Sequence, residues 1–331
     1  MKIAAVNTYV LSADLETPFA YSQAWYATRM ALIVEVVADH GLSGFGEVYG
    51  PPRPNRGVVE AYAPLLVGED PFAIERHWQR LYNHLRDHGQ RGLAIQALSG
   101  IDIALWDLKG KALGLPVHVL MGGPIRERVR AYATGLYRRD RPDHEAYLRE
   151  EAASYVEAGF TAMKLKTGWG VAEDVRLTRA LRDEIGGEVE LMVDANHAYD
   201  AVDALAYVRK VEDLDIGWFE EPVAPEDYDG YREVKAGGTI PVAGASAPSR
   251  ATASGGSSPS ASSTSPSPTP ARREGSRNAR RSPTWHRHSA CATCRIAGAP
   301  ASPAQPRCNS SPCFRTIRRA FTPPSRCSSS T

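Results

Sequence analysis

The sequence predicts an α+β domain followed by an α/β barrel of the TIM type that is incomplete after its fifth strand. Two observations lead to this fold class. From about residue 126, strand-like and helix-like apolar segments alternate, and the charged residues that end successive strands lie 26 to 28 residues apart, as expected for parallel βα units. Before residue 126, the strand-like segments come first and the helical segments follow, which indicates a separate α+β domain.

The first 125 residues contain the elements of the predicted α+β domain. Apolar and β-branched runs predict three strands, over 3–11, 30–38 and 42–48. Three helical patterns follow, beginning near Asn55, near Asp70 and at Gly92, and Gly114 is expected to end the third. Residues 17–29 lack periodicity and are predicted as a loop. Two interpretations of this loop stay open, a cover over a neighbouring active site and a plain surface connection.

Residues 126–245 are predicted to form the first part of the barrel. Five strands are expected, over 129–135, 162–166, 189–194, 216–221 and 242–244. Amphipathic helical patterns separate them, and Gly159 ends the first of these helices. Because a TIM barrel needs eight strands, five strands cannot close it.

Charged residues end three of the predicted barrel strands. Lys164 and Lys166 end one strand, Asp194 ends the next, and Glu220 and Glu221 end a third. The carboxyl ends of barrel strands build the active site of this fold, so these side chains are expected to converge there. Carboxylates at successive strand ends can hold a hard divalent ion, and Mg²⁺ is favoured because it takes oxygen ligands and keeps positions open for substrate.

The two lysines suit proton abstraction. Lys164 and Lys166 are two positions apart on one strand, so both are expected to face the pocket. The charge of each lysine, together with the metal ion, is expected to lower the pKa of its neighbour and to make a neutral amine available near pH 7. The metal ion would stabilise the enediolate formed when a carbon next to a carboxylate loses its proton. A different chemistry also stays open, in which a barrel lysine forms a Schiff base with a carbonyl substrate.

Three further residues lie beside these strand ends. Asn196 and His197 follow Asp194, where they are expected either to touch substrate or only to form a turn. Glu221 is interpreted either as an acid that supports the metal ligands or as the cap of the next helix. One more step of 26 residues from Glu220 reaches position 246, where a third acid is expected and the chain has Ser246.

The chain after residue 245 has a different composition. It consists largely of Ser, Pro, Ala, Thr and Arg without apolar periodicity, which predicts a disordered tail over 246–331. From residue 247 it carries thirteen Arg, no Lys or Asp, and one Glu, so its charge is about +12, whereas the rest of the chain is about −11. All five cysteines lie in this tail and therefore indicate nothing about disulfides in a folded domain.

A shift of reading frame near codon 244 explains this change of composition. Residues 244–249, written as degenerate codons and read from each third base, permit Gly-Glu-Cys-Ala-Phe, so a glutamate codon overlaps positions 245 and 246. The same shift over 294–301 permits Pro-His-Ser-Trp-Gly-Thr-Gly. We therefore predict that the tail is read out of frame, which makes a non-catalytic frameshifted product an alternative to an active enzyme.

Two features of the tail resemble binding sites. The first is a possible zinc cluster with His-x-His-x2-Cys-x2-Cys spacing, formed by His286, His288, Cys291 and Cys294. The second is the excess of arginine, which is typical of nucleic-acid binding. The frameshift explains both as accidents, so the sequence predicts no nucleic-acid partner. It also shows no signal segment and no run long enough to span a bilayer, which predicts a cytoplasmic protein without membrane contact.

Several motifs resemble those of the enolase superfamily, in its mandelate racemase and muconate lactonizing subgroup. They are Lys164-Leu-Lys166, Val-Asp194-Ala-Asn196-His197 and Trp-Phe-Glu220-Glu221-Pro, together with Gly-Phe-Gly-Glu over 44–47 and the long helix over 97–111. Within the subgroup, the segments 46–55, 87–92 and 131–135 are most similar to sugar-acid enzymes of the galactarolactone cycloisomerase type.

The resemblance implies a capping domain over 1–125, the first half of a barrel over 126–245, and an Mg²⁺ cofactor. It implies that Lys166 is the base, Lys164 its electrostatic partner, and Asp194 and Glu220 two of three metal ligands. The implied activity is that of an isomerase or lyase, a cycloisomerase, dehydratase or racemase of a sugar acid or its lactone, and the implied assembly is a homo-oligomer. Because Ser246 replaces the third ligand, we expect this chain to be impaired in activity and poorly folded after about residue 245.

Overall fold

A three-stranded antiparallel sheet and a layer of helices form the N-terminal part of the computed structural model, which describes residues 1–89 and 92–244. The strands are β1 (Ile3–Tyr21), β2 (Ala24–Ala38) and β3 (Ser43–Val48), in that order in the sheet. The helices are α1 (Pro52–Tyr62), α2 (Ile74–His84), α3 (Leu93–Leu113) and the short α4 (Val117–Leu120). Strands first and helices after is the order that the sequence predicts.

The core of this part lies between β2 and α3. Alternate residues of β2, among them Leu32, Val34 and Val36, are fully buried on one face of the sheet, as the period of a half-buried strand requires. Helix α3 covers that face and ends at Gly114, which adopts the left-handed conformation (φ 65°) that glycine takes easily. The predicted end of this helix therefore agrees with the structure.

The predicted loop over 17–29 is wrong, because β1 and β2 continue through it as a long hairpin. Beyond Asp14 the strands pair again at Phe19 with Tyr26 and close in a two-residue turn at Ser22 and Gln23. Between these pairings the register shifts, with four residues on β1 facing one on β2. This bulge interrupts the alternation that identifies strands in a sequence. Residues 14–28 are called the hairpin arm below.

Gly44 and Gly46 of β3 let the sheet approach α3 closely. Replacing Gly46 by alanine is expected to destabilise the protein by about 3 kcal/mol, because the added Cβ would lie 2.0 Å from the Gly100 carbonyl oxygen and 2.8 Å from the Ala104 nitrogen.

Gly57 of α1 is the matched control for this substitution. A Cβ at Gly57 meets no atom within 4 Å, so Gly57→Ala is expected to stabilise the protein by about 0.5–1 kcal/mol through helix propensity. Urea unfolding measures both changes, and an unchanged midpoint for Gly46→Ala would contradict the close packing.

The second part of the chain is a five-stranded parallel sheet with helices between its strands. The strands are β4 (Ala133–Thr134), β5 (Ala162–Lys166), β6 (Glu190–Asp194), β7 (Ile216–Glu220) and β8 (Val242–Ala243), in that order in the sheet. The helices are α5 (His144–Glu157), α6 (Val171–Ile185), α7 (Ala201–Val211) and α8 (Tyr228–Gly237). These elements agree with the predicted βα units, although the first strand is much shorter than the predicted 129–135.

Of the three central strands, β5 and β6 are buried on both faces and β7 is partly buried. Met163, Leu165, Leu191, Val193 and Phe219 are at most 1% exposed, as expected for parallel strands that are covered by helices on one side and fill a barrel interior on the other. Within 1–89 and 92–244, none of the helices combines the length and the apolar character that crossing a membrane requires.

Three predictions concern residues outside the described part of the chain. They are the disordered tail over 246–331, the third ligand position at Ser246, and the zinc-like cluster His286, His288, Cys291 and Cys294.

Candidate active site

The register of the parallel sheet brings the predicted site residues to one edge. Lys166 of β5 is aligned with Asp194 of β6, and Asp194 is aligned with Glu220 of β7. Each residue ends its strand, so the three side chains start from the same level at the carboxyl ends of the strands. In barrels of this architecture the active site is built at that face.

The two lysines and two of the acids form one buried ionic cluster. The Lys166 ammonium nitrogen lies 2.7 Å from Asp194 Oδ2, and the Lys164 nitrogen lies 3.2 Å from the same oxygen and 2.7 Å from Glu220 Oε2. The Lys164 and Asp194 side chains are 3% and 2% exposed. Both lysine nitrogens therefore lie on the same side of the strand, as predicted from their spacing, and each is paired with a carboxylate.

These contacts shift the pKa values of the cluster. Burial opposes ionisation of Asp194, but the charges of Lys166 and Lys164 outweigh it and lower the pKa of Asp194. Burial likewise disfavours the charged form of Lys164, but Asp194 and Glu220 outweigh it and raise the pKa of Lys164. Among the protein side chains alone, the two carboxylates within hydrogen-bonding range of Lys164 thus raise its pKa; the predicted lowering by a neighbouring lysine together with a metal ion stays a prediction.

Asn196, His197 and Glu221 form a second layer beside this cluster. Asn196 Oδ1 accepts a hydrogen bond from Lys166 at 2.9 Å, and its backbone nitrogen donates to Asp194 at 3.0 Å. Asn196 Nδ2 lies 3.3 Å from a Glu221 oxygen, and His197 Nε2 lies 3.2 Å from the same oxygen. Glu221 does not cap the next helix, since Asp227 does so for α8. The interpretation of Glu221 as a helix cap is therefore wrong.

The backbone at these three residues is unusual. Asn196, His197 and Glu221 have φ angles of 48°, 68° and 48°, in the left-handed region that residues other than glycine rarely adopt. Hydrogen bonds from Ala195 N to Glu220 O and from His197 N to Glu221 O tie the loops after β6 and β7 together. Such local strain is common where side chains are held for function.

The hairpin arm reaches this face of the barrel. Ser22 Oγ donates a hydrogen bond of 2.6 Å to the Ala195 carbonyl, next to Asp194 in the chain. Phe19 packs against Tyr137 with ring centroids 4.6 Å apart, and the Tyr137 ring lies 5.5 Å from the Lys166 nitrogen. The arm therefore lies beside the cluster of lysines and acids, and its role as a cover over an active site stays a prediction.

Sequence reasoning did not identify Ser22, Tyr132 or Tyr137 as neighbours of the site. Tyr132 lies under Lys164, with its ring centre 5.6 Å from the ammonium nitrogen. None of the three ends a strand with the regular spacing, so the pattern that identifies the charged residues could not include them. The sequence offers one signal for Tyr132 and Tyr137: both are aromatic residues near the start of the barrel segment.

The carboxylates of Asp194 and Glu220 fit a hard divalent cation. Both already contact a single positive charge, the Lys164 ammonium, so their oxygens converge on one point. Oxygen donors are the ligands that Mg²⁺ prefers, and Mg²⁺ is commonly bound by one or two protein carboxylates together with water and substrate. Within 1–89 and 92–244, no group of three or more His, Cys, Asp or Glu is arranged to hold a metal ion. The described residues therefore bring together two carboxylates, those of Asp194 and Glu220, that could hold such an ion.

Comparisons with known proteins match both parts of the chain. Residues 5–122 match the N-terminal domain of the mandelate racemase/muconate lactonizing enzyme family, and residues 147–251 match the enolase C-terminal domain-like family. The D-galactarolactone cycloisomerase of Agrobacterium fabrum is 49% identical over 244 residues, which is 74% of this chain and 65% of that protein.

Two solved structures show the same architecture. The 3,6-anhydro-D-galactonate cycloisomerase of Zobellia galactanivorans is 41% identical, with a TM-score of 0.67 over 74% of this chain and 65% of that one. The L-talarate/galactarate dehydratase of Salmonella typhimurium LT2, liganded with Mg and L-lyxarohydroxamate, is 31% identical, with a TM-score of 0.67 over 73% of this chain and 64% of that one. The chain thus spans slightly less than two thirds of the length of each of these relatives.

Proposed function

Because this chain belongs to the enolase superfamily, in its mandelate racemase/muconate lactonizing enzyme family, we propose that its site abstracts the proton next to the carboxylate of a sugar acid or its lactone. This membership confirms the predicted family and fold class, and the similar proteins are isomerases and lyases. The observation that carries the proposal is the convergence of Lys166, Asp194 and Glu220 at three aligned strand ends.

In the proposed reaction Lys166 is the base. In its neutral form it takes the α-proton of the substrate, while Asp194 and Asn196 hold its nitrogen at 2.7 and 2.9 Å. Lys164, whose raised pKa keeps it protonated, provides a positive charge for the substrate carboxylate. Asp194 and Glu220 would hold Mg²⁺, which would supply electrostatic stabilisation of the enolate.

The substrate proposed is a galactarate-type sugar acid or its lactone. The 49% identity to a D-galactarolactone cycloisomerase supports this class, and the similar structures include a second sugar-acid cycloisomerase. Cycloisomerisation, dehydration and racemisation share the first proton abstraction, so the proposal concerns that common step. The Schiff-base alternative has less support, because acids end the next two strands, β6 and β7, as metal-assisted proton abstraction requires.

The experiment is α-proton exchange in D₂O, measured by ¹H NMR with D-galactarate or its lactone and Mg²⁺. We expect exchange in a protein expressed from DNA with the frame restored near codon 244. We expect little or none in the 331-residue chain, which has Ser246 at the proposed third ligand position. Absence of exchange in the restored protein would refute the proposed function, and Mg²⁺-dependent exchange in the 331-residue chain would refute its impairment.

The frame itself is tested by resequencing the DNA across codons 240–250. A missing or additional base there is the expected result. An unaltered reading frame would mean that the residues after 245 belong to the natural protein. The proposed division at about residues 125 and 245 would then stand, but residues 246–331 would no longer be explained as an out-of-frame tail.

A further inference from the structure

A cavity of about 520 Å³ lies where α5 and α6 begin, and none of its lining residues belongs to the cluster of lysines and acids. The loop that follows β4 and the first turns of the two helices line it. Because helices in a parallel βα sheet start after the carboxyl ends of the strands, this cavity opens at the rim of the face that carries the candidate active site.

Two residues that line this cavity each have a buried side-chain nitrogen with no hydrogen-bond partner among residues 1–89 and 92–244. The two atoms are Arg138 Nη1 and His144 Nδ1. His144 is 8% exposed, and its burial together with the charges of nearby arginines lowers its pKa to about 4, so its ring is neutral at physiological pH and can carry a proton on Nδ1. A buried donor without an acceptor is costly, which indicates that a group with acceptor oxygens belongs beside these two residues.

The first turn of α5 adds further donors to the same place. This helix has fourteen residues and begins at His144, and no side chain caps its first amide groups. The preceding residue, Asp143, is instead engaged by Arg141 through two hydrogen bonds of 2.5 Å. The amide groups at the start of a helix and the positive end of its dipole favour an anion.

The charges that line the cavity also favour an anion. Four arginines face three carboxylates, which leaves a formal charge of +1. Asp143 and Glu145 are paired with arginines other than Arg138. Arg138 makes no side-chain hydrogen bond within the described residues. Its Nη1 lies 3.9 Å from a Glu173 oxygen, and its Cζ lies over the Trp169 ring, 4.8 Å from the ring centroid. A guanidinium over an aromatic face can still donate hydrogen bonds to an oxyanion.

We propose that this cavity binds a small oxyanion, a carboxylate or a phosphate group, between Arg138, His144 and the first amide groups of α5. Such a site is separate from the cluster of Lys164, Lys166, Asp194 and Glu220, and no part of it depends on the proposed catalytic chemistry. Its three donor groups come from neighbouring segments of the chain, and a planar or tetrahedral oxyanion has enough acceptor oxygens to satisfy them together.

The experiment is a calorimetric titration of the full 331-residue chain at constant ionic strength, with inorganic phosphate in one arm and malonate in the other. We expect saturable binding of one anion per chain. The titration with the lower dissociation constant identifies whether the site prefers phosphate or a carboxylate. Arg138→Met, which keeps the aliphatic stem over Trp169, is expected to weaken binding about tenfold, because it removes the charged donors. His144→Phe, which keeps the ring volume, is expected to weaken it as well.

Arg232→Met is the matched control, since Arg232 is an exposed arginine that pairs with Asp229 on α8. This variant is expected to bind the anion as the unmodified chain does. Binding that is unchanged in Arg138→Met, or no saturable binding of either anion at millimolar concentration, would overturn the proposal. If His144→Phe does not fold, as judged by its circular dichroism spectrum, the Arg138→Met variant decides.

Discussion

Replacing Asp194 by asparagine is expected to lower the free energy of unfolding by about 3–5 kcal/mol, the usual cost of removing one partner from a buried ion pair. Asp194 Oδ2 is within 3.2 Å of both lysine nitrogens, and all three side chains are less than 10% exposed. In Asp194→Asn, Lys164 keeps Glu220, but Lys166 is left with Asn196 alone and with no opposite charge in contact. Urea or thermal unfolding measures the loss.

The pKa shifts define the pH range of this effect. The pKa of Asp194 is lowered in the folded protein, so its stabilisation is complete above about pH 3.9, its value in an unfolded chain, and is lost as the pH falls through the lower folded value. The pKa of Lys164 is raised, so its stabilisation is complete below about pH 10.4 and is lost as the pH rises through the higher folded value. The difference between the two proteins should therefore be constant between about pH 4 and 10.

Asp213→Asn provides the control for this stability measurement. Asp213 pairs with Arg179 at 2.8 Å, but its side chain is 58% exposed, so its loss should lower the free energy of unfolding much less than the loss of Asp194 does. If Asp194→Asn and Asp213→Asn lowered the free energy of unfolding equally, the buried cluster would not stabilise the fold more than an exposed ion pair does, contrary to this prediction.

Replacing Lys166 by methionine is expected to reduce the rate of α-proton exchange by about 10² to 10⁴, the usual contribution of a positioned general base. Methionine keeps the length and apolar stem of the side chain but cannot accept the proton. The measurement is deuterium incorporation into the substrate by the protein with its reading frame restored, with Mg²⁺ affinity determined separately by calorimetry.

The matched control is Lys111→Met. Lys111 also pairs with a carboxylate, at 2.5 Å from Asp107, but it lies at the end of α3 and is partly exposed. This variant should exchange the proton at the unmodified rate. If Lys166→Met retained full exchange, a residue other than Lys166 would be the base, and the roles proposed for Lys164 and Lys166 would have to be reassigned.

The sequence predicts the central strands and their charged ends well, and physical reasons explain this success. Strands β5, β6 and β7 are short, largely apolar runs between helices of clear periodicity, and each ends at a charged residue. The charged residue at the end of each run is conspicuous for that reason. Strand register then follows from the repeated spacing, so the meeting of Lys166, Asp194 and Glu220 could be predicted.

Other features depend on contacts that no local pattern encodes. The hairpin arm was missed because its bulge breaks the alternation of β1. The direction of the Lys164 pKa shift depends on distances to Asp194 and Glu220, which spacing along the chain does not give. The sequence likewise could not predict that Arg138 Nη1 and His144 Nδ1 lack an acceptor among the described residues, because that depends on which groups the fold places beside them.

The contact between Ser22 and the Ala195 carbonyl joins residues that are 173 positions apart in the chain. Contacts of such high sequence separation are slow to form, because a long loop must be closed before they contribute any stability. During synthesis, the hairpin arm emerges well before the strand that it will touch. The contacts of the hairpin arm beside Lys166 are therefore expected to form late in folding, after the parallel strands have formed. Recovery of the signal of Tyr137 during refolding should lag behind recovery of secondary structure.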